Sequence, residues 1–509
     1  MIDKNKKHIN KKEIMFFIII FVVMFYFFNN LHPVLICDTD DWQYIAFSRH
    51  AWPKWGDWNP TRVLPEVLMG AVSLFGSKVI YPLLGNFTIA MSLSFAIVIA
   101  FIITIYVYFF YSFIKDKYNL DSIFCIFLSS LFLVLHFVVF RRFESNNLHL
   151  FLSINACTYF FYTIPNMLSS IIVLKLLKDD FLYNPIEKYE DYCNNPLTYG
   201  VLVILIYFSL FSNLYASCII GIFIGIQLLN DLLHTIRKKN TIVDFLKKNI
   251  LRIIIVVIWI GVQVFELFGG RANNLSLDNQ TIPFFELIKD SIENYLFLLS
   301  TTNKLLLILI VFTMVFFAFD LIKKIIIIDK SKNELLATIV LSSFLVLVYL
   351  LLVNSKASTN YSQRPDAMFG VYFYLFLLLE VLIISICIPR KIYKLFVPLA
   401  VVLLLVECNT TKVTYRDSYS SALNKEQILS FNDYLIDEFK RNEEKGKTEF
   451  ELHVPYFNND TNWPFGTYAG NYVSNSMFKH GLISREIKVT KVVPDIAINK
   501  KLNIIVPKK

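Results

Sequence analysis

The sequence predicts an all-α polytopic membrane protein that ends in a small α+β domain, and three observations carry that prediction. Apolar runs of roughly 15 to 35 residues recur from Ile14 to Val406, whereas one helical crossing of a bilayer takes ~20 residues. The chain is 56% hydrophobic and 17% charged, which excludes both a disordered chain and an ordinary soluble enzyme. After Cys408 charged residues become frequent and the apolar runs stop, so residues 1–408 read as the membrane domain and 409–509 as a domain outside the lipid.

Eleven crossings are predicted, over about 13–31, 85–113, 122–140, 155–174, 198–212, 216–233, 250–269, 305–322, 334–353, 368–388 and 394–408. The first follows Lys4, Lys6, Lys7, Lys11 and Lys12 and has no small-residue cleavage site, which makes it a retained anchor. The fifth and sixth come from one long apolar stretch divided at Ser212-Asn-Leu-Tyr215. Lys and Arg favour the loops on the N-terminal side by about two to one, which predicts a cytoplasmic N-terminus and an extracytoplasmic C-terminus. The first outer loop, 32–84, is long. Within it Arg62–Phe75 carries apolar side chains at 64, 67, 68, 71, 74 and 75, the spacing of one helix face. This helix is expected to lie in the outer interface or tucked against the bundle, not to span.

In the last hundred residues Ala422–Lys440 has the pattern of an amphipathic helix. Glu449–Val454, Glu486–Val493 and Ile496–Val506 read as strands, and Trp463, Phe465, Tyr468 and Tyr472 crowd a loop. The net charge of +9 fits cytoplasmic loops facing anionic lipid, and no basic tract interleaved with aromatics suggests a nucleic-acid partner. The seven Cys are scattered without a CxxC, and His50, His136 and His149 show no metal spacing.

The stretch Cys37-Asp-Thr-Asp-Asp-Trp42 stands out at the mouth of this membrane domain. Asp38, Asp40 and Asp41 lie just past the first crossing, and four of the six Trp (42, 52, 55 and 58) fall close behind. Such an acidic turn could be a helix cap. Trp rings at this depth anchor a protein in the interface or stack on sugars. Formally Asp38-Thr39-Asp40 is a DxD, but nucleotide sugars are cytosolic and this segment is predicted outside. Arg62, Arg141, Arg142, Arg271 and Arg364 are positive charges on the side that the topology rule leaves poor in them. Arginine binds phosphate bidentately, whether that of a lipid head group or of a leaving group. Arg364 lies in Asn360-Tyr-Ser-Gln-Arg-Pro-Asp366. Glu66 follows Arg62 by one helical turn. Glu266 and Glu380 lie within predicted crossings, and Glu380 sits mid-helix, where a proton-coupled or a structural role is open.

A cytoplasmic N-terminus, acidic residues just after crossing one, an interfacial helix beside them and an outward C-terminal domain together resemble the GT-C superfamily of membrane glycosyltransferases. These use polyprenyl-phosphate sugars, and the chain looks most like the bacterial serotype-converting glucosyltransferases of O-antigen. Asp40-Asp41 falls where the family's catalytic acidic pair lies. Arg62 falls where a Gly-Arg dipeptide often stands, although the preceding residue here is Thr61. The resemblance implies a bacterial inner-membrane enzyme that moves a hexose such as glucose to a lipopolysaccharide or other surface glycan, with inversion. Asp40 or Asp41 would be the base, and the other would orient the acceptor or hold a divalent cation. Arg62, Arg364 and Arg142 would bind the donor phosphate, and Asp38, Trp42, Trp58 and Glu66 the acceptor and sugar. A flippase and a lipid-sugar synthase would be its partners. The competing expectations are a polysaccharide polymerase or ligase, and a lipid-linked sugar transporter. The latter predicts internal repeats, and none is evident.

Overall fold

In a computed structural model the chain is overwhelmingly helical. The structure describes residues 10–47, 49–141, 146–239, 241–271, 282–323, 330–390, 393–410, 414–415 and 423–505. Among them nine helices are long and apolar enough to cross a membrane. Each of the eleven segments predicted to cross is helical: eight are among those nine, Ser122–Val138 and Pro196–Leu210 are shorter apolar helices, and the last is Tyr393–Thr410. The remaining long helix is Val63–Leu84 of the first loop.

Many of the helix contacts are made by aromatic rings, in keeping with a chain of 48 Phe and 27 Tyr. Phe110 stacks on Phe132 at 4.0 Å and His136 on Phe151 at 4.8 Å, and the Tyr106 hydroxyl meets His136 Nε2 at 3.1 Å. Close backbone approach is reserved for a few glycines. A Cβ on Gly221 would lie 2.3 Å from the Trp259 ring, and one on Gly370 2.9 Å from Ile219.

The helix predicted to begin at Arg62 forms as Val63–Phe75 and continues through a wide turn, Gly76–Ile80, to Leu84. Its length and composition would suffice for a crossing. Both of its ends nevertheless rest at one end of the bundle. The Leu64 N–H donates to the Phe211 carbonyl at the start, and twelve or more residues on Ser77 and Lys78 meet His480 of the C-terminal domain. It therefore lies across the end of the bundle that carries Asp38–Asp41. A second helix, Phe284–Ser300, lies in the following long loop, where none was predicted. It packs Leu287, Ser291, Tyr295 and Leu298 inward, and Gln363 donates to its Asn294.

The C-terminal domain is a helix, Lys425–Glu444, followed by a strand–helix–strand unit. Glu449–Val454 pairs in parallel with Lys488–Pro494, with a register shift at Phe450/Glu451, and Gly470–His480 forms the crossover. Two readings are corrected here. Ile496–Val506 is not a strand: its described part forms the helix Ile496–Lys501, because Asp495 caps it by accepting from the Ala497 N–H at 2.8 Å. The crowded aromatic loop ends at Ala469, where the crossover helix takes over and includes Tyr472.

Candidate functional site

The short helix Thr39–Ala46 forms because Asp38 caps it, its side chain accepting from the Asp41 N–H at 3.0 Å. The other Asp38 oxygen receives Asn155 Nδ2 at 2.5 Å. Asp41 points the opposite way from solvent and is 0% exposed; its oxygens accept the backbone N–H groups of Cys37 at 2.9 Å and Cys157 at 2.6 Å. These two carboxylates thus tie the chain after the first crossing to the turn at Asn155–Thr158. Cys37, Asp38 and Asp41 bring potential metal ligands within 4.8 Å of one another. Each of the four carboxylate oxygens of Asp38 and Asp41 accepts a hydrogen bond, so the pair acts as a clamp between chain segments.

Asp40 is different. It is partly exposed, and its carboxylate makes no hydrogen bond among the described residues. Burial pushes its carboxyl above the ordinary range, and Arg271 opposes that shift. Arg271 belongs to the chain just past the helix Ile242–Leu267. Its backbone N–H donates to the Trp58 carbonyl at 3.2 Å, and Gly269 and Gly270 allow the first loop to lie directly against it. A Cβ on either glycine would come within 3.0 Å of Pro60 or Trp58.

Three arginines converge on Tyr361. Arg271 Nη2 donates to its hydroxyl at 2.9 Å, and the Arg364 guanidinium lies 4.9 Å from its ring and 4.8 Å from that of Tyr162. Arg62 lies 5.6 Å over Phe161, next to Tyr162. Burial alone would push the Tyr361 phenol up, but Arg271, Arg364 and Arg62 outweigh it and hold it below its usual value. Two of these arginines have their own carboxylates. Arg364 forms a two-pronged pair with Asp366 at 3.0 and 2.7 Å, and Asp366 also accepts from Ser153 at 2.9 Å. Arg62 pairs with Glu266 at 3.6 Å, and Thr61 donates to the same carboxylate at 2.6 Å. Arg271 has no carboxylate within ion-pair distance among the described residues.

The structure separates the residues singled out in the sequence. Asp40, Arg62 and Arg364 share this region with Trp58, which is 51% exposed at its rim. Trp42 does not fit a sugar platform: it is 1% exposed and stacked on Phe87. Glu66 is buried with both oxygens engaged, one by Arg49 at 2.8 Å and one by Asn59 at 3.0 Å, so it organises the loop and has no free oxygen for a sugar. Asp38 likewise has neither oxygen free. Arg142 lies outside the described residues. Glu380 is buried with neither oxygen hydrogen-bonded among the described residues, ~16 Å along its helix from Phe369. Sequence reasoning missed Asn155, Tyr361 and Asp366 as members of the site and left Arg271 without a role.

The chain was compared with protein-family models, curated proteins and solved structures, and none of the three gave a match.

Proposed function

We propose that this chain is an integral-membrane glycosyltransferase of the GT-C kind. It moves a sugar, a hexose such as glucose, from a polyprenyl phosphate to a hydroxyl of a cell-surface glycan. The observation that carries this reading is the placement of one unengaged carboxylate, Asp40, within electrostatic reach of Arg271, whose guanidinium meets Tyr361 together with that of Arg364. Sugar transfer from a phosphate needs both. As the acceptor oxygen attacks the anomeric carbon, its proton passes to Asp40, which burial makes a stronger base than an ordinary carboxylate. The bond from that carbon to the phosphate oxygen breaks, and the electron pair leaves with the phosphate. Arg271 and Arg364 neutralise that growing negative charge in a poorly solvated setting. Attack opposite to departure inverts the anomeric centre. In this reading Asp41 and Asp38 position Asp40 and take no proton.

The helix Val63–Leu84 lies across this end of the bundle, which suits a donor whose sugar stands at the lipid surface. The Lys and Arg distribution favours placing this end outside a bacterial inner membrane with the N-terminus within the cytoplasm. There the donor has to be lipid-linked and delivered by a flippase and a lipid-sugar synthase. The test is surface-glycan analysis, by mass and linkage, of cells with the chain, without it, and with Asp40→Asn. One added hexose per acceptor unit that vanishes with Asp40→Asn is expected. A change in polymer length alone would indicate a polymerase or ligase, and an unchanged glycan would sink the proposal in favour of transport.

A further inference from the structure

The C-terminal domain does more than sit beside the acidic helix. The Thr39 N–H donates to the Pro464 carbonyl at 3.0 Å, and the Gly466 N–H donates to Thr39 Oγ1 at 2.9 Å. Residues 464–466 are thereby fixed to the residue preceding Asp40. The aromatics of this loop then divide. Phe465 is 0% exposed and packs at 5.2 Å on Phe431, filling the domain core. Tyr468 is 54% exposed, so the fold gains little from its ring.

That ring is nonetheless held in place. A Cβ on Gly466 would lie 2.7 Å from Tyr468 Cε1, so the ring rests flat against the glycine and offers its other face. Tyr472, in the first turn of Gly470–His480, stands at 83° to it with centroids 6.4 Å apart. The two rings make a floor and a wall. Because the Tyr468 ring rests on Gly466, whose N–H meets Thr39 Oγ1, this corner stands beside the start of the acidic helix that carries Asp40.

We infer that Tyr468 and Tyr472 form the acceptor subsite, a corner on which a pyranose ring of the acceptor glycan stacks while one of its hydroxyls faces Asp40. The inference rests on the glycosyltransferase reading and adds the side from which the acceptor enters. A flat ring face suits the C–H face of a hexopyranose, and a rigid aromatic with a polar edge binds it at small entropic cost. The donor phosphate, on the arginines, lies with the membrane-domain residues. The acceptor lies with the C-terminal domain, and Asp40 stands where the two meet.

The test uses the full-length protein reconstituted in vesicles with a polyprenyl-phosphate hexose and a soluble oligosaccharide acceptor. Two quantities are followed, transfer to the acceptor and release of the hexose to water when acceptor is omitted. Tyr468→Ala and Tyr472→Ala should each raise the acceptor KM by about tenfold, the effect of losing one modest contact. The donor KM and the slow release to water should stay unchanged, and Tyr468→Phe should stay close to wild type. An unchanged acceptor KM in both alanine variants would overturn the subsite. So would an equal loss of release to water, because the rings would then be supporting the fold or the donor. Absence of any donor turnover by the wild-type protein would instead count against the glycosyltransferase reading itself.

Discussion

Asp41 accepts the backbone N–H of Cys157 at 2.6 Å, and this bond separates the roles of two adjacent carboxylates. With its second oxygen on the Cys37 N–H, Asp41 has both oxygens engaged, whereas the Asp40 carboxylate makes no hydrogen bond among the described residues. Removing Asp41 leaves two buried N–H groups without partners, each costing about 1–3 kcal/mol. Asp41→Ala should therefore lower the melting temperature in detergent by several degrees along with activity. Asp40→Asn should abolish transfer and leave the melting temperature within about a degree of wild type. Equal melting curves for the two variants, measured by scanning fluorimetry, would show that the clamp is not structural.

Arg271 differs from its two neighbours in having no carboxylate partner among the described residues. Arg364→Ala would strand Asp366 and Arg62→Ala would strand Glu266, and breaking a buried pair in this way costs about 3–5 kcal/mol. Arg271→Ala strands no carboxylate among the described residues. It should weaken donor binding about tenfold to a hundredfold, the worth of one or two charged hydrogen bonds, with little loss of stability. Donor KM and melting temperature for the three alanine variants decide the matter. A destabilised Arg271→Ala protein with a normal donor KM would remove Arg271 from the phosphate site.

A second consequence concerns pH. Asp40 acts as a base only when ionised, and burial raises its pKa above the ordinary ~3.9. Activity should accordingly fall as the medium is acidified, with a midpoint above that value. Because Arg271 opposes the shift, Arg271→Ala should move the midpoint to higher pH. A kcat/KM profile of the variant against wild type measures this, and a shift to lower pH would disprove the pairing.

How much of this was visible in the chain follows from the range of the interactions. Crossings are set by local hydropathy, so every predicted one is helical. The first-loop helix was legible from its single apolar face. The inward stripe of Phe284–Ser300 (Leu287, Ser291, Tyr295 and Leu298) has the same spacing, but charged residues between its members hide it in the hydropathy of the chain. Local periodicity carries no information on which of Asp40 and Asp41 is buried, since that depends on Cys157, 116 residues away. The same holds for Trp42. Trp is common at membrane interfaces, but the packing of Trp42 on Phe87 put it in the core instead. The meeting of Thr39 with Gly466 spans 427 residues, beyond the reach of any sequence pattern. Ile496–Val506 is rich in β-branched residues and so has the composition of a strand, but the single cap at Asp495 starts a helix over Ile496–Lys501.

The contact between the two parts of the chain should itself respond to acid through His480. Its Nε2 lies 3.1 Å from the Ile45 carbonyl, which can only accept, so the proton is on Nε2 and Nδ1 accepts from the Ser77 hydroxyl at 2.9 Å. Burial, with Lys78 and Lys479 nearby, pushes the pKa of His480 down to about 4, against the hydrogen bond to Ile45 that favours the charged form. The unfolded chain, with a value near ~6.5, takes up this proton first as pH falls. His480 therefore contributes its full stability above about pH 6.5, and that contribution is lost as pH falls toward about 4. Protonation would also give Nδ1 a hydrogen that faces the Ser77 hydroxyl and forces it to turn. Thermal melts between pH 7 and pH 4 should show a steeper decline for wild type than for His480→Gln, which cannot titrate. Protease sensitivity of the C-terminal domain should rise over the same interval. Parallel declines in the two proteins would show that acid loosens this interface through other groups, with His480 acting only as a neutral bridge between Ser77 and Ile45.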